Sequence, residues 1–173
     1  ATFLINLPRS EKRRADMEGR LATLGLDHVW FHAVDGRAEW LRLVAQINLP
    51  AFRRNTGREV MPGEIGAYHS HLMVWQAFLA TKAEIVLEDD VVFHDDFTEA
   101  LDLALSTVSQ WDFLKLNKIR ARHPVRQGEL AGYRLNAYLG AATGLGAYLI
   151  TRDLAQRLLP RMLPITRPID HEL

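Results

Sequence analysis

Three consecutive acids, Glu88, Asp89 and Asp90, follow an apolar run and are followed directly by another. The run before this acidic triplet, Ile85 to Leu87, is typical of a strand covered on both faces. Burying an unpaired carboxylate costs on the order of several kcal/mol, so the acids are expected at the strand's end. Ligands bind there in open α/β sheets, and carboxylates suit a divalent cation that also contacts a phosphate. A solvated acidic turn explains the same pattern.

The sequence His69-Ser70-His71 is a second candidate for chemistry. Its flanks predict a helix, where the two histidines point about 200° apart and cannot bind one ion together. Ser70 lacks the Gly-x-Ser-x-Gly turn of an acyl-transfer nucleophile. We therefore interpret one of the histidines as a hydrogen-bonded residue at the rim of a pocket.

Two further places could contact or activate a substrate. Arg9 and Arg13 follow the first strand near a helix N-terminus, which is a position suited to a phosphate or a nucleobase. A solvated basic face paired with nearby acids is the alternative, mainly for Lys12 and Arg14. Asp170 lies on a proline-flanked segment, where a conformationally restricted carboxylate is a candidate general base. The glycines at 140, 144 and 146 lack dinucleotide-binding spacing.

The composition predicts one domain over residues 1–173 and excludes several classes of function. Formal net charge is +0, so no bulk attraction to nucleic acid is expected. The charge is nevertheless uneven, because residues 84–102 carry acids without Lys or Arg, and Lys115 to Arg126 carry bases without acids. There is no cysteine, which excludes disulfides and thiolate chemistry. Neither a membrane-spanning run nor a secretory signal is recognisable, so a cytoplasmic location is expected.

The elements that must position these residues alternate between strand and helix. Thr2 to Leu7 and Val29 to Val34 read as strands around a helix that begins near Ser10 and stops at Gly25, which makes a parallel pair. Pro62 opens a helix over residues 63–80, and the strand of the triplet follows it. Residues 53–60 read as a polar, mobile loop. We expect further strands at 113–116, 133–139 and 147–150, helices at 97–108 and 151–159, and an α/β domain with a mostly parallel central sheet flanked by helices.

Several motifs, in order along nearly the whole chain, resemble glycosyltransferase family 25, which includes bacterial lipooligosaccharide galactosyltransferases and animal collagen galactosyltransferases. Each motif alone is weak, but their order is specific. The motifs are Ile5-Asn6-Leu7-Pro8-Arg9, Ala33-Val34-Asp35-Gly36, Gly63-Glu64-Ile65-Gly66-Ala67 with Ser70-His71, Val86-Leu87-Glu88-Asp89-Asp90, Gly146-Ala147-Tyr148-Leu149-Ile150 and Pro168-Ile169-Asp170.

The resemblance implies a GT-A type nucleotide-sugar-binding fold and transfer of a hexose, galactose by analogy, from a UDP-sugar donor. The triplet would be the counterpart of the Asp-x-Asp motif, with a divalent metal, Mn²⁺, beside the diphosphate. Asp90 would be a direct ligand and Glu88 would contact the ribose or the metal's water shell. Asp89 would be a ligand or a structural acceptor. The nucleotide would be surrounded by Asn6, Arg9, Arg13 and Asp35, with Glu64 and His71 bordering the site.

Family members form β-linkages from α-linked donors, so the resemblance implies inversion and a base, for which we choose Asp170. The implied acceptor is a lipooligosaccharide or another glycan or lipid-linked saccharide, with peripheral contact to the inner membrane through the basic run. The matching region stops at Leu173, where family members continue, so we expect the C-terminal part usual in the family to be missing. The alternative function is a non-catalytic sugar-nucleotide or glycan-binding relative.

Overall fold

The computed structural model describes residues 2–80, 85–117, 119–140 and 142–173. The predictions for Glu84 and Lys118, members of the acidic and basic runs, lie outside the described residues. The strands are β1 (Thr2–Asn6), β2 (His28–His32), β3 (Ile85–Glu88), β4 (Phe113–Lys115), β5 (Pro124–Leu130), β6 (Tyr133–Tyr138) and β7 (Ala147–Ile150). The helices are α1 (Glu11–Thr23), α2 (Trp40–Leu43), α3 (Leu49–Thr56), α4 (Pro62–Leu79), α5 (Phe97–Ser106) and α6 (Arg152–Leu158).

The main sheet has five strands in the order β2-β1-β3-β7-β4, so the strand that ends in the acidic triplet is central. β1 pairs in parallel with both β2 and β3, whereas β7 is antiparallel to both β3 and β4. β4 therefore points the same way as β1, β2 and β3, and only β7 runs against them, so the sheet is mixed, with four of its five strands in one direction. No helix is described between β4 and β7, and such crossover helices are what usually make neighbouring strands parallel.

β5 and β6 form a separate two-stranded antiparallel sheet, which we call the hairpin. Its turn residues, Ala131 and Gly132, have φ values of 48° and 84°. Positive φ at both positions is the geometry of a tight type I′ turn. Such turns usually begin with asparagine, aspartate or glycine, so alanine gives little indication of one in the sequence. β5 is largely exposed, so it lacks the apolar alternation of a half-buried strand. The sequence pattern accordingly predicts no strand over these residues.

The segment after residue 48 was also misread, because residues 53–60 are not all loop. α3 covers Leu49–Thr56, the Asn48 side chain caps it by accepting from the Ala51 amide, and Gly57 ends it with a φ of 72°. Phe52 on this helix is fully buried in the core. The cap residue and the terminal glycine were readable signals, and they outweigh the polar composition of the helix's second half.

Helices cover both faces of the sheet, as predicted. Side chains alternate along the strands, so Phe3 and Val86 join the hydrophobic cluster under α4, whereas Leu4 and Leu87 join the cluster under α1 and α5. Trp75 of α4 is completely buried in the first cluster, and Leu21 of α1 in the second. The two clusters hold β3 between them, which fixes where its carboxyl end emerges.

α4 packs close to the loop after β2 because both carry a glycine at the contact. A Cβ added to Gly66 would lie 2.5 Å from the Val34 carbonyl oxygen, and one added to Gly36 would overlap the Pro62 carbonyl oxygen. One turn further along α4, the Ser70 hydroxyl accepts a hydrogen bond of 2.8 Å from the Val34 amide. These contacts fix α4 against the loop that carries Asp35.

We predict that Gly66→Ala destabilises the fold by about 1–3 kcal/mol, because the new methyl group would press against backbone atoms that cannot move aside. Gly63→Ala is the matched control, since a Cβ at Gly63 of the same helix meets nothing within 4 Å. It should be neutral or stabilising by up to about 1 kcal/mol. Urea denaturation of both variants makes the comparison, and equal stabilities would contradict the close contact.

Candidate active site at the carboxyl ends of β1 and β3

The acidic triplet lies at the edge of the sheet where β1 and β3 end. Ile5 pairs with Glu88 in the parallel register, so Asn6 and Asp89 leave their strands side by side. Asp35 follows β2 at the same edge, because β2 is also parallel to β1. The predicted position of the triplet at the end of a central strand is confirmed. It is the edge at which ligands bind in open α/β sheets.

Asp89 is tied into the structure by both of its carboxylate oxygens. The buried Asn6 amide donates to Oδ2 over 2.7 Å, and the Arg13 guanidinium donates to Oδ1 over 3.1 Å. Asn6 also donates weakly to the Ser10 carbonyl over 3.4 Å, near the start of α1. Of the two roles left open for Asp89, these bonds favour the structural acceptor. They also direct Asn6 and Arg13 toward a neighbouring acid.

Glu88 is held from the opposite side by a chain of buried polar groups. His71 Nε2 lies 3.2 Å from Glu88 Oε1, and His71 Nδ1 lies 2.9 Å from the Tyr148 hydroxyl oxygen. Trp75 Nε1 donates to the same hydroxyl over 2.8 Å. His71, Tyr148 and Trp75 are at most 1% exposed. The predicted hydrogen-bonded histidine at the pocket is therefore His71.

The hydrogen-bond partners of His71 show which of its ring nitrogens carries the proton. The buried Tyr148 hydroxyl accepts from the indole, and His71 Nδ1 is the acceptor available for its own proton among the described residues. At the other end, the Glu88 carboxylate accepts, so His71 Nε2 must carry a hydrogen. Both ends require the same neutral tautomer, with the proton on Nε2. The order of donation is Trp75 to Tyr148 to His71 to Glu88, which fixes the orientation of the Glu88 carboxylate.

We predict that Tyr148→Phe destabilises the protein by about 1–3 kcal/mol, because the Trp75 indole N–H is left buried without an acceptor. The variant should also release His71 from its single tautomer. Two-bond ¹⁵N–¹H NMR spectra of the imidazole should change from the Nε2–H pattern to a mixture of tautomers. Tyr133→Phe is the control, because that hydroxyl is bonded to the exposed Asp96 and should cost less than about 0.5 kcal/mol.

Asp90 differs from its two neighbours because, among the described residues, no ion pair is formed to it. Its pKa is raised, first by partial burial of the carboxyl group and then by the negative charges of Glu88 and Asp89, which outweigh the nearby Arg13. A bound cation would relieve this repulsion. Glu88 and Asp90 therefore fit a site for a hard cation. The described residues contain no group of three metal-ligating side chains, so other ligands would have to complete it.

Two cavities meet at the triplet. The small cavity, about 170 Å³, is lined by Arg9, Arg13, Asp35, His71, Glu88 and Asp89, among others. The large cavity, about 740 Å³, is lined by Glu88 and Asp90 together with apolar side chains that include Phe93, Phe97 and Ile119. Glu88 borders both cavities. The sequence does not predict the apolar wall of the large cavity, because apolar residues in a helix or a loop are more often part of the core.

The remaining predicted site residues do not all join the small cavity. Asp35 forms an ion pair there with Arg9. Glu64 instead accepts hydrogen bonds from Arg58 and from the Met61 amide at the start of α4. Burial raises the pKa of Glu64, but these bonds outweigh it and lower the pKa overall. Asp170 accepts from the Gly144 amide over 2.9 Å, and Gly144 lines the large cavity. Asp170 thus lies behind the large cavity's wall.

Comparison with known sequences identifies the family. The sequence model of glycosyltransferase family 25, described as an LPS biosynthesis protein family, matches residues 1–173. The chain belongs to glycosyltransferase family 25. The family resemblance drawn from the motifs is therefore confirmed, and the acidic triplet lies in a family 25 sequence.

Three relatives illustrate the range of family 25. A glycosyltransferase 25 family member of Aedes aegypti is 30% identical over 91% of this chain and 27% of its own length. Procollagen galactosyltransferase 2 of Homo sapiens is 30% identical over 94% of the chain and 28% of its own length. A probable inactive family member 3 of Rattus norvegicus is 28% identical over 94% and 31%, respectively. The chain spans less than a third of the length of these relatives.

Proposed function

We propose that this chain is the sugar-nucleotide-binding part of a GT-A type glycosyltransferase that transfers a hexose, galactose by family likeness, from a UDP-sugar to a saccharide acceptor. The observation that carries the proposal is the position of Glu88, which borders both the small and the large cavity. A transferase must bring a donor and an acceptor to one point. The edge of the central strand provides such a point, with carboxylates on it.

The donor nucleotide is assigned to the small cavity. Three arginines line this cavity: Arg9 follows β1, Arg13 lies in the first turn of α1, and Arg37 follows β2. Guanidinium groups at such positions suit an anionic or planar ligand group. Its volume of about 170 Å³ is below the roughly 300 Å³ at which pockets enclose a whole small ligand. We therefore place only the base and ribose there, with Asp35 as an acceptor for their hydrogen bonds. The diphosphate would extend over Glu88 toward Asp90.

A divalent cation, Mn²⁺ in this proposal, would be held by Glu88 and Asp90, with diphosphate oxygens and water completing its ligands. Hard divalent cations accept such mixed oxygen sets, and this cation would offset charge on the departing UDP. Asp89 is left out of the proposed ligands, because Asn6 and Arg13 already donate to its two oxygens. Arg13 adds positive charge beside the diphosphate. His71 keeps Glu88 in place through the donated Nε2 hydrogen.

Inversion at the anomeric carbon requires that the acceptor hydroxyl lose its proton during a single displacement. Asp170 is assigned as the base by family likeness, and its carboxylate lies behind the wall of the large cavity, where it accepts from the Gly144 amide. For this role the Gly144 segment would have to uncover the Asp170 carboxylate to the acceptor hydroxyl, which would then lose its proton to Asp170 as it attacks from the large cavity.

We predict that Asp90→Ala lowers transfer on the order of 100-fold or more, because the cation loses a direct carboxylate ligand. Titration calorimetry with UDP and Mn²⁺ should show the same loss in binding. Asp102→Ala, an exposed acid on α5, is the control and should leave binding and transfer unchanged. Full activity in the Asp90→Ala enzyme would remove the triplet from the mechanism. Absence of any heat with UDP and Mn²⁺ in the natural sequence would refute the donor assignment.

The acceptor is proposed to be a lipooligosaccharide or a related lipid-linked saccharide, met at the cytoplasmic face of the inner membrane. Arg120 and Arg122 are exposed beside the hairpin, next to Ile119, which is 71% exposed. Basic and apolar side chains together favour an anionic membrane surface. No helix in the described part of the chain is long and apolar enough to cross a membrane.

The double reversal Arg120→Glu with Arg122→Glu should therefore weaken co-sedimentation with phosphatidylglycerol vesicles by at least about tenfold, given about 1 kcal/mol per basic residue at such a surface. The control is Arg54→Glu with Arg161→Glu, an equal change of charge at two other exposed arginines. If both pairs of substitutions weakened sedimentation equally, only net charge would matter and the surface assignment would fail.

A second candidate function is a non-catalytic sugar-nucleotide or glycan-binding module. The specific observation in its favour is that several relatives are named inactive members of the family. UDP-sugar binding without hydrolysis of the donor, and without transfer to any saccharide acceptor, would favour this candidate over the transferase.

A further inference from the structure

A third cavity lies between the hairpin and β4, away from the acidic triplet, and we call it the hairpin cavity. Its volume is about 670 Å³. One wall is β4 and its continuation, with Lys115 and Asn117, and the other is β6, with Arg134, Asn136 and Tyr138. Trp111 contributes to the lining from the segment before β4. This cavity is large enough for two or three sugar rings by the usual size of ligand pockets.

The charged side chains that line the hairpin cavity are all basic. Lys115 and Arg134 line it, and none of its described lining residues is an acid. Arg134 stands opposite Glu129 in the hairpin register, but Glu129 is paired with Arg126, and no ion pair to Arg134 is formed among the described residues. An anion entering the cavity would therefore meet an available guanidinium group.

Lys115 is half-buried at the end of β4, and its ammonium group donates to the Ala142 carbonyl. Burial lowers the pKa of Lys115, and the charge of Asp170 only partly opposes this. Within the described part of the chain, no carboxylate lies within ion-pair distance of the ammonium group. A partly desolvated cation without a close counter-ion is stabilised by an anionic ligand.

The rest of the lining suits a saccharide. Trp111 is held in place by a 3.0 Å hydrogen bond from its indole to the Ala104 carbonyl, and it lines the cavity together with Tyr138. Aromatic surfaces of this kind pack against the C–H faces of sugar rings. Asn136 supplies an amide that can both donate to and accept from hydroxyl groups. Polar groups placed among aromatic side chains are the usual means by which a pocket orients such a ligand.

We propose that the hairpin cavity binds a saccharide that carries an anionic group, either a carboxylate or a phosphate, with Lys115 and Arg134 as its counter-ions. Asn117 lines both this cavity and the large cavity, and Asp170 influences Lys115 from the side of the large cavity. The bound saccharide would thus lie next to the proposed base. Its identification as the acceptor rests on the proposed transferase function, whereas its binding does not.

The test is a ¹H–¹⁵N NMR titration of the whole chain with three probes: trigalacturonic acid, the neutral maltotriose, and glucose 6-phosphate. We expect trigalacturonic acid or glucose 6-phosphate to shift the amides of residues 113–117 and 134–140, and the stronger of the two identifies the anionic group. Maltotriose should bind about tenfold more weakly, since it lacks charge-assisted hydrogen bonds. Arg134→Gln and Lys115→Gln should each weaken binding of the anionic probe by about tenfold as well.

Arg54→Gln, an exposed arginine on α3, is the matched control and should not change binding. Arg134 is also exposed, so its variant should fold even if Lys115→Gln does not. Equal binding of maltotriose and the anionic probes, shifts confined to other residues, or no shifts with any probe would overturn the proposal. UDP with Mn²⁺, titrated into the same sample, reports separately on the donor site, so the two assignments can fail independently.

Discussion

The hydrogen bond from Asn6 to Asp89 determines how the acidic triplet can be used. It joins the ends of two neighbouring parallel strands, and Arg13 adds a bond from α1 to the same carboxylate. Successive side chains on a strand point to opposite faces, so holding Asp89 toward α1 turns Glu88 toward α4 and His71. Asp90 then leaves the strand at the large cavity. One buried amide thus separates three adjacent acids into an anchor and two available carboxylates.

The second constraint is the buried series of hydrogen bonds from Trp75 through Tyr148 and His71 to Glu88. Buried polar groups stabilise a fold only when every donor finds an acceptor, and this chain ends on a carboxylate at the surface of the small cavity. The core cluster under α4 and the candidate site are therefore coupled through hydrogen bonds. A change in the orientation of the indole or the phenol would reach Glu88 without any change in the site itself.

The sequence was informative wherever one physical requirement acted alone. The run Ile85–Leu87 had to be buried and its acids could not be, so the end of β3 was correctly placed. Pro62 could open a helix and Gly25 could stop one, and both do. β5 escaped detection because it packs on nothing that requires an apolar face, and its Ala131-Gly132 turn lacks the usual asparagine or aspartate. The role of Asp89 escaped because it depends on Asn6, whose partner lies 83 residues away.

The same reasoning explains why composition concealed the electrostatics of this chain. Its formal charge of +0 combines carboxylates gathered at the end of β3 with cations gathered around the small cavity and the hairpin cavity. Folding neutralises some of these charges, as in the Arg9–Asp35 and Arg13–Asp89 ion pairs. Among the described residues, however, Asp90 and Arg134 form no ion pair, and they line different cavities. Each is left beside space large enough for a ligand of opposite charge. The distribution of charge over the three cavities, and not the total, is therefore what the fold contributes to recognition.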